Sequence, residues 1–124
     1  MFSIPDFKVL KITHDQDLLD DECCEISNFF RGDYIAIRSS SENEDNDSSS
    51  SAGIYESVLN VDSSKISSIR DGIKKVLNSY CMHDGHTEHS HVILQKMVQD
   101  VICSGVIFTH ELSTGAPYYV VNYD

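Results

Sequence analysis

Potential metal ligands are concentrated in one short stretch, CMHDGHTEHSH (residues 81–91), which holds Cys81, His83, His86, His89 and His91 beside Asp84 and Glu88. Thiolate and neutral imidazole are the preferred ligands of zinc, and Cys81, His83, His86 and His89 are close enough in sequence to complete a tetrahedral site. Structural zinc sites usually pair two separated knuckles, however, and a His-rich tract also serves as a solvated connection. The order of residues differs from the zinc-protease motif. There a Glu directly follows the first His and acts as base, whereas here Glu88 precedes His89 and His91 comes two positions later. Imidazoles beside Asp84 and Glu88 would also gain charge near about pH 6. A solvated connection between helices is the expectation, with weak metal binding as the alternative and no resident cofactor.

The second constellation is acidic. Asp15, Asp17, Asp20, Asp21, Glu22 and Glu25 crowd one segment, and Glu42, Glu44, Asp45 and Asp47 another. Asp17, Asp21 and Glu25 recur at i, i+4 and i+8, one face of a helix, at a self-repulsion of a few tenths of a kcal/mol per neighbouring pair. A row of that kind suits docking to a basic surface, with Asp20 beside it and Phe29 and Tyr34 as anchors. Ser39 and Ser41 each have Glu three residues downstream, the pattern acidophilic kinases favour, and phosphate there would deepen the negative field. Nothing else assembles a catalytic set. His110 and Glu111 are adjacent on an expected strand and so point to opposite faces. No cysteine has a diagnostic flank, and no glycine-rich phosphate loop occurs.

These residues need elements to hold them. Phe7 to Thr13 reads as a strand. Leu19, Cys23, Ile26 and Phe30 form a helical stripe with carboxylates in its first turns, stopped by Gly32. Asp33 to Arg38 and Ile54 to Val61 read as strands joined by residues 39–53, SSSENEDNDSSSSAG, whose composition implies a long flexible loop. Ile66, Ile69, Ile73, Val76, Leu77 and Tyr80 mark a second helix, with Asp62 or Ser63 as cap. Leu94, Met97, Val98, Val101 and Ile102 suggest a third, ending at Ser104-Gly105. A hairpin closes the chain, Val106 to Leu112 and Tyr118 to Tyr123. The expected fold is α+β, a single domain over residues 1–124. Its order is β-α-β-β-α-α-β-β, with about five mostly antiparallel strands and three helices.

Composition bounds the partners. The 124 residues carry a net charge of −11, and 13 of the 20 acidic residues fall between Asp6 and Glu56 against four Lys or Arg. A field of that sign disfavours bare nucleic acid and anionic membrane and favours a basic protein surface. No apolar run approaches the roughly 18–20 residues of a membrane span. The amino terminus lacks the pattern of a signal peptide. Cys23, Cys24, Cys81 and Cys103 read as reduced thiols, so a cytoplasmic location is expected.

In size, acidity and absence of a catalytic signature, the chain resembles the small cytoplasmic immunity proteins that neutralise bacterial nuclease toxins. The resemblance implies a non-enzymatic inhibitor that blocks a basic partner such as a nuclease toxin, mainly through the first helix. The alternatives are an accessory subunit of a larger intracellular or viral assembly, or a metal-binding protein using residues 81–91.

Overall fold

The computed structural model describes residues 3–12, 20–41, 56–83 and 90–124. Their elements are β1 (Phe7–Ile12), α1 (Asp20–Phe30), β2 (Tyr34–Ser41), β3 (Ser57–Asp62), α2 (Ile66–His83), β4 (Ser90–Lys96), β5 (Gly105–Phe108) and β6 (Val120–Tyr123). The first four strands to pair form one sheet in the order β1-β4-β2-β3, with every neighbouring pair antiparallel; β5 and β6 form a separate two-stranded sheet. Each helix follows one strand and leads to another that is not its neighbour, so α1 and α2 make two split β-α-β crossovers.

Both helices are held to the sheet by their apolar stripes. Cys23, Ile26 and Phe30 of α1 and Ile69, Ile73, Val76 and Tyr80 of α2 join Ile35, Ile37, Val61, Val92 and Leu94 in one buried core. Alternation along β2 and β4 sends Ile35, Ile37, Val92 and Leu94 to this helix-covered face. Gly72 lets α2 approach closely, since a Cβ there would stand 2.7 Å from Cδ1 of the buried Ile37. α1 ends where Arg31 and Gly32 take left-handed backbone conformations (φ 54° and 87°), the conformation that suits glycine and stops a helix. Ahead of α2, Asp62 accepts bonds from the backbone and hydroxyl of Ser64, so the acid anticipated as a cap shapes the turn that leads into the helix.

The α+β class and the mostly antiparallel sheet agree with expectation, but the third helix does not exist. Ser90–Lys96 is instead β4, an inner strand. Val92 and Leu94 are fully buried at spacing two while Ile93 and Gln95 are not, so the strand period outweighs the helical one. Beyond it Val98, Val101 and Ile102 are exposed, Ile102 completely, whereas a third helix would have buried Val98 and Val101. Ser39–Ser41, expected as the start of a loop, extend β2 because β4 is there to pair with them. The rest of that loop, residues 42–53, and Ile54 and Tyr55 of the strand expected after it lie outside the described residues. The terminal hairpin is present with shorter strands than expected, and His110 and Glu111 fall in its connection. No helix among the described residues is long and apolar enough to cross a membrane.

Candidate functional site

A groove of about 540 Å³ runs along the outer edge of β3, where α2 overhangs the strand. Its strand side is shaped by a β-bulge. Ile35 pairs with Val61 and Ile37 with Val58, so Leu59 and Asn60 together oppose Ala36. Asn60 absorbs the extra residue in a left-handed conformation (φ 57°), which Asn tolerates better than most side chains, and its N–H is directed at Sδ of Met97, 3.1 Å away. Tyr34, Val58, Leu59 and Val61 line the apolar side, with the Tyr34 side of the groove left open by a residue 49% exposed.

The helix side supplies polar groups at helical spacing. Lys65 stands just before α2, its carbonyl accepting the Ile69 N–H, and Ser68, Gly72 and Lys75 follow at intervals of three or four, so the start of α2 and one face behind it border the groove. At 1.5 Å rise per residue the two lysines lie about 15 Å apart along the helix. Lys65 Nζ sits 3.2 Å from Asp62 Oδ2 at one end, and Lys75 Nζ 3.2 Å from Glu56 Oε1 at the other. The lysine side chains are 67% and 59% exposed, so these pairs are screened by solvent and exchange readily for another anion. Hydrogen bonds from the Ser64 hydroxyl and backbone, with Lys65 adding to them, hold the Asp62 carboxyl below the usual carboxylate range. Lys65 and Lys75 balance Asp62 and Asp71, so the lining is formally neutral in a chain of net charge −11.

The acidic row is placed elsewhere. Asp20 pairs with Arg70 and ties α1 to α2, while Asp21 and Glu25 are exposed on α1. Asp17 lies outside the described residues. Phe29 packs edge-to-face on Phe30 at 4.9 Å between ring centres, and the Lys8 amine stands 5.0 Å from its centre. Tyr34 departs from this group and lines the β3–α2 groove, whose lining includes no residue of α1. Of the metal-ligand candidates, Cys81 and His83 fall in the last turn of α2, and His86 and His89 lie outside the described residues. His91 belongs to β4, where its carbonyl accepts a bond from Tyr80.

A two-layer α+β domain with a cleft of neutral lining, apolar on one side and carrying two exchangeable cations on the other, is the class this geometry defines. The family model for pyruvate phosphate dikinase, AMP/ATP-binding domain, matches residues 12–123, and the chain belongs to that family. No curated protein and no solved structure matches it.

Membership of an enzyme family overturns the non-enzymatic inhibitor reading and its immunity-protein resemblance. The resemblance rested on size and total charge. Total charge speaks to long-range steering, whereas a small anion is held by the few groups it touches. Sequence reasoning passed over Lys65, Lys75 and Asn60. The signal available was the spacing of Lys65, Ser68, Gly72 and Lys75 into and along α2, but nothing in it announces that a strand edge lies opposite.

Proposed function

We propose that this chain is an adenine-nucleotide-binding part of a phosphate-transferring enzyme, and that the β3–α2 groove holds the nucleotide. The observation that carries the reading is the pairing of an apolar strand edge with two exposed lysines, Lys65 at the entry to α2 and Lys75 about 15 Å further along it. The uncharged purine rests against Tyr34 and Leu59, where stacking on an aromatic ring contributes about 1–3 kcal/mol. Phosphate oxygens replace Asp62 and Glu56 as partners of Lys65 and Lys75, and the Ser68 hydroxyl adds a donor. The groove glycine, Gly72, lies within α2, so these side chains take the part that a glycine-rich loop plays elsewhere.

The two ends of the groove then have different duties. Tyr34 is the register partner of Asp62, which places it at the Lys65 end, whereas Lys75 pairs with Glu56 at the opposite end of β3. A monophosphate seated at Tyr34 reaches only Lys65, and the longer triphosphate extends toward Lys75. Replacing Lys65 with Ala should therefore weaken AMP and ATP alike, whereas Lys75→Ala should weaken ATP several-fold and leave AMP nearly unchanged. Calorimetric titration of both nucleotides into the wild type and the two variants measures this. Equal effects of Lys75→Ala on the two ligands would sink the assignment of the ends.

A further inference from the structure

The last two strands leave a pairing surface open. Among the described residues β5 and β6 pair only with each other, and a lone two-stranded ribbon is marginal in water. Adjacent strand residues point to opposite faces, and Val106, Ile107, Val121 and Tyr123 are all exposed, Tyr123 at 78%, so both faces of the ribbon are open.

The other edges of this chain are guarded. β1 (FKVLKI) carries Lys8 and Lys11, and β3 carries its bulge and Asp62, devices that discourage a further strand from adding. β5 (GVIF) and β6 (VVNY) have neither charge nor proline. Across residues 105–123, Glu111 is the sole Asp, Glu, Lys or Arg. Ser104 and Asp124 exchange both backbone bonds, at 3.2 and 2.8 Å. By the alternation of an antiparallel pair, Val106–Asn122 and Phe108–Val120 do likewise, and Gly105, Ile107, Val121 and Tyr123 turn their N–H and C=O groups outward.

We propose that β6 pairs antiparallel with β6 of a second copy of this chain, joining two ribbons into a four-stranded sheet across a two-fold axis. β6 is the pairing edge because Gly105 weakens β5 as a template. A second copy is the occupant because two-fold pairing sets a strand against itself. Like charges opposite one another would repel, and VVNY contains none. In a chain of charge −11, residues 105–123 contribute one acidic side chain, so pairing through the ribbon brings little like charge together. Centring the axis on Asn122 sets Val121 of one copy opposite Tyr123 of the other. The aromatic and β-branched side chains on that face cover on the order of 500 Å² per copy, below the roughly 800 Å² of a standard interface, so the dimer is concentration-dependent.

Sedimentation equilibrium on the full chain, across micromolar to millimolar concentration and at low and high salt, tests this. The expected result is a mass that doubles with concentration, at lower concentration when salt screens the acidic surfaces. Amide exchange at Val121 and Tyr123 should slow about tenfold over the same range, in line with capture of the free edge groups. Val121→Lys should remain a folded monomer by circular dichroism, and Tyr123→Ser should weaken the dimer without introducing charge. A wild type that stays monomeric, a dimer that salt dissolves, or a Val121→Lys protein that dimerises as the wild type does would each overturn the proposal.

Discussion

Removing one oxygen atom from Tyr80 should cost the fold more than its size suggests. The side chain is almost fully buried, and its hydroxyl accepts a bond from Ser40 N at 2.6 Å while donating to His91 O at 2.7 Å. Ser40 and His91 face each other across β2 and β4, so α2 reaches into the sheet and bridges two inner strands. Tyr80→Phe keeps the ring in the core but strips a donor and an acceptor of their partner in a half-buried place. Leaving such groups unsatisfied costs about 1–3 kcal/mol. For a chain of this length one kcal/mol corresponds to roughly 4 °C in Tm, so a fall of about 4–12 °C is expected. Thermal and urea unfolding followed by circular dichroism measure it, with Tyr119→Phe as an exposed control that should shift Tm by little. A fall of less than about 2 °C would mean that the strands close directly on each other without the hydroxyl, and the bridging argument would be wrong.

Three further outcomes follow from the packing and the charges. Ile73→Ala, at a fully buried position of α2, should cost about 2–5 kcal/mol in urea unfolding, whereas Val98→Ala should cost well under about 1 kcal/mol because Val98 is exposed; equal losses would restore a helix at residues 94–102. The Glu111 carboxylate accepts bonds from the hydroxyls and amides of Thr114 and Ser113, which lower its pKa to about 2. A depressed carboxylate stabilises the turn fully above its ordinary pKa and loses that contribution as pH falls through about 2. The Ser113 and Thr114 amide resonances should therefore hold their positions through about pH 4 and move only near the folded pKa, and movement centred near pH 4 would contradict the bonds. Burial, followed by the charge of Glu22, pushes the Cys23 thiol up, while Cys103 is exposed. Alkylation of the native protein with peptide mass mapping should label Cys103 well before Cys23, and equal labelling would place Cys23 at the surface.

The helices were legible because their stripes are long. Ile69, Ile73, Val76 and Tyr80 keep one period over several turns, and all four are buried. β4 was misread because Leu94, Met97, Val98, Val101 and Ile102 also satisfy helical spacing. What decides the matter is Val92 and Leu94 being sandwiched between β1 and β2, a tertiary fact that local periodicity does not contain. The groove was hidden for the same reason. Lys65 and Lys75 are ordinary surface lysines in the sequence, and only the β-α-β crossover lays the start of α2 and the face carrying Lys75 along β3. Tyr34 was picked out as an anchor beside the acidic helix, but its companions are Leu59 and Lys65 in the groove and not the carboxylates of α1. The acidic row dominated the sequence reading because it is contiguous, whereas the groove is assembled from three separate elements.

Backbone amide resonances followed during titration with ATP and with AMP test the central claim most directly. The expected result is saturable shifts at Tyr34, Leu59, Asn60, Lys65, Ser68 and Gly72, with Lys75 moving for ATP and not for AMP, and little change along Asp21 to Glu25. Saturable shifts confined to another surface, or no saturable change at millimolar nucleotide, would contradict a nucleotide site between β3 and α2.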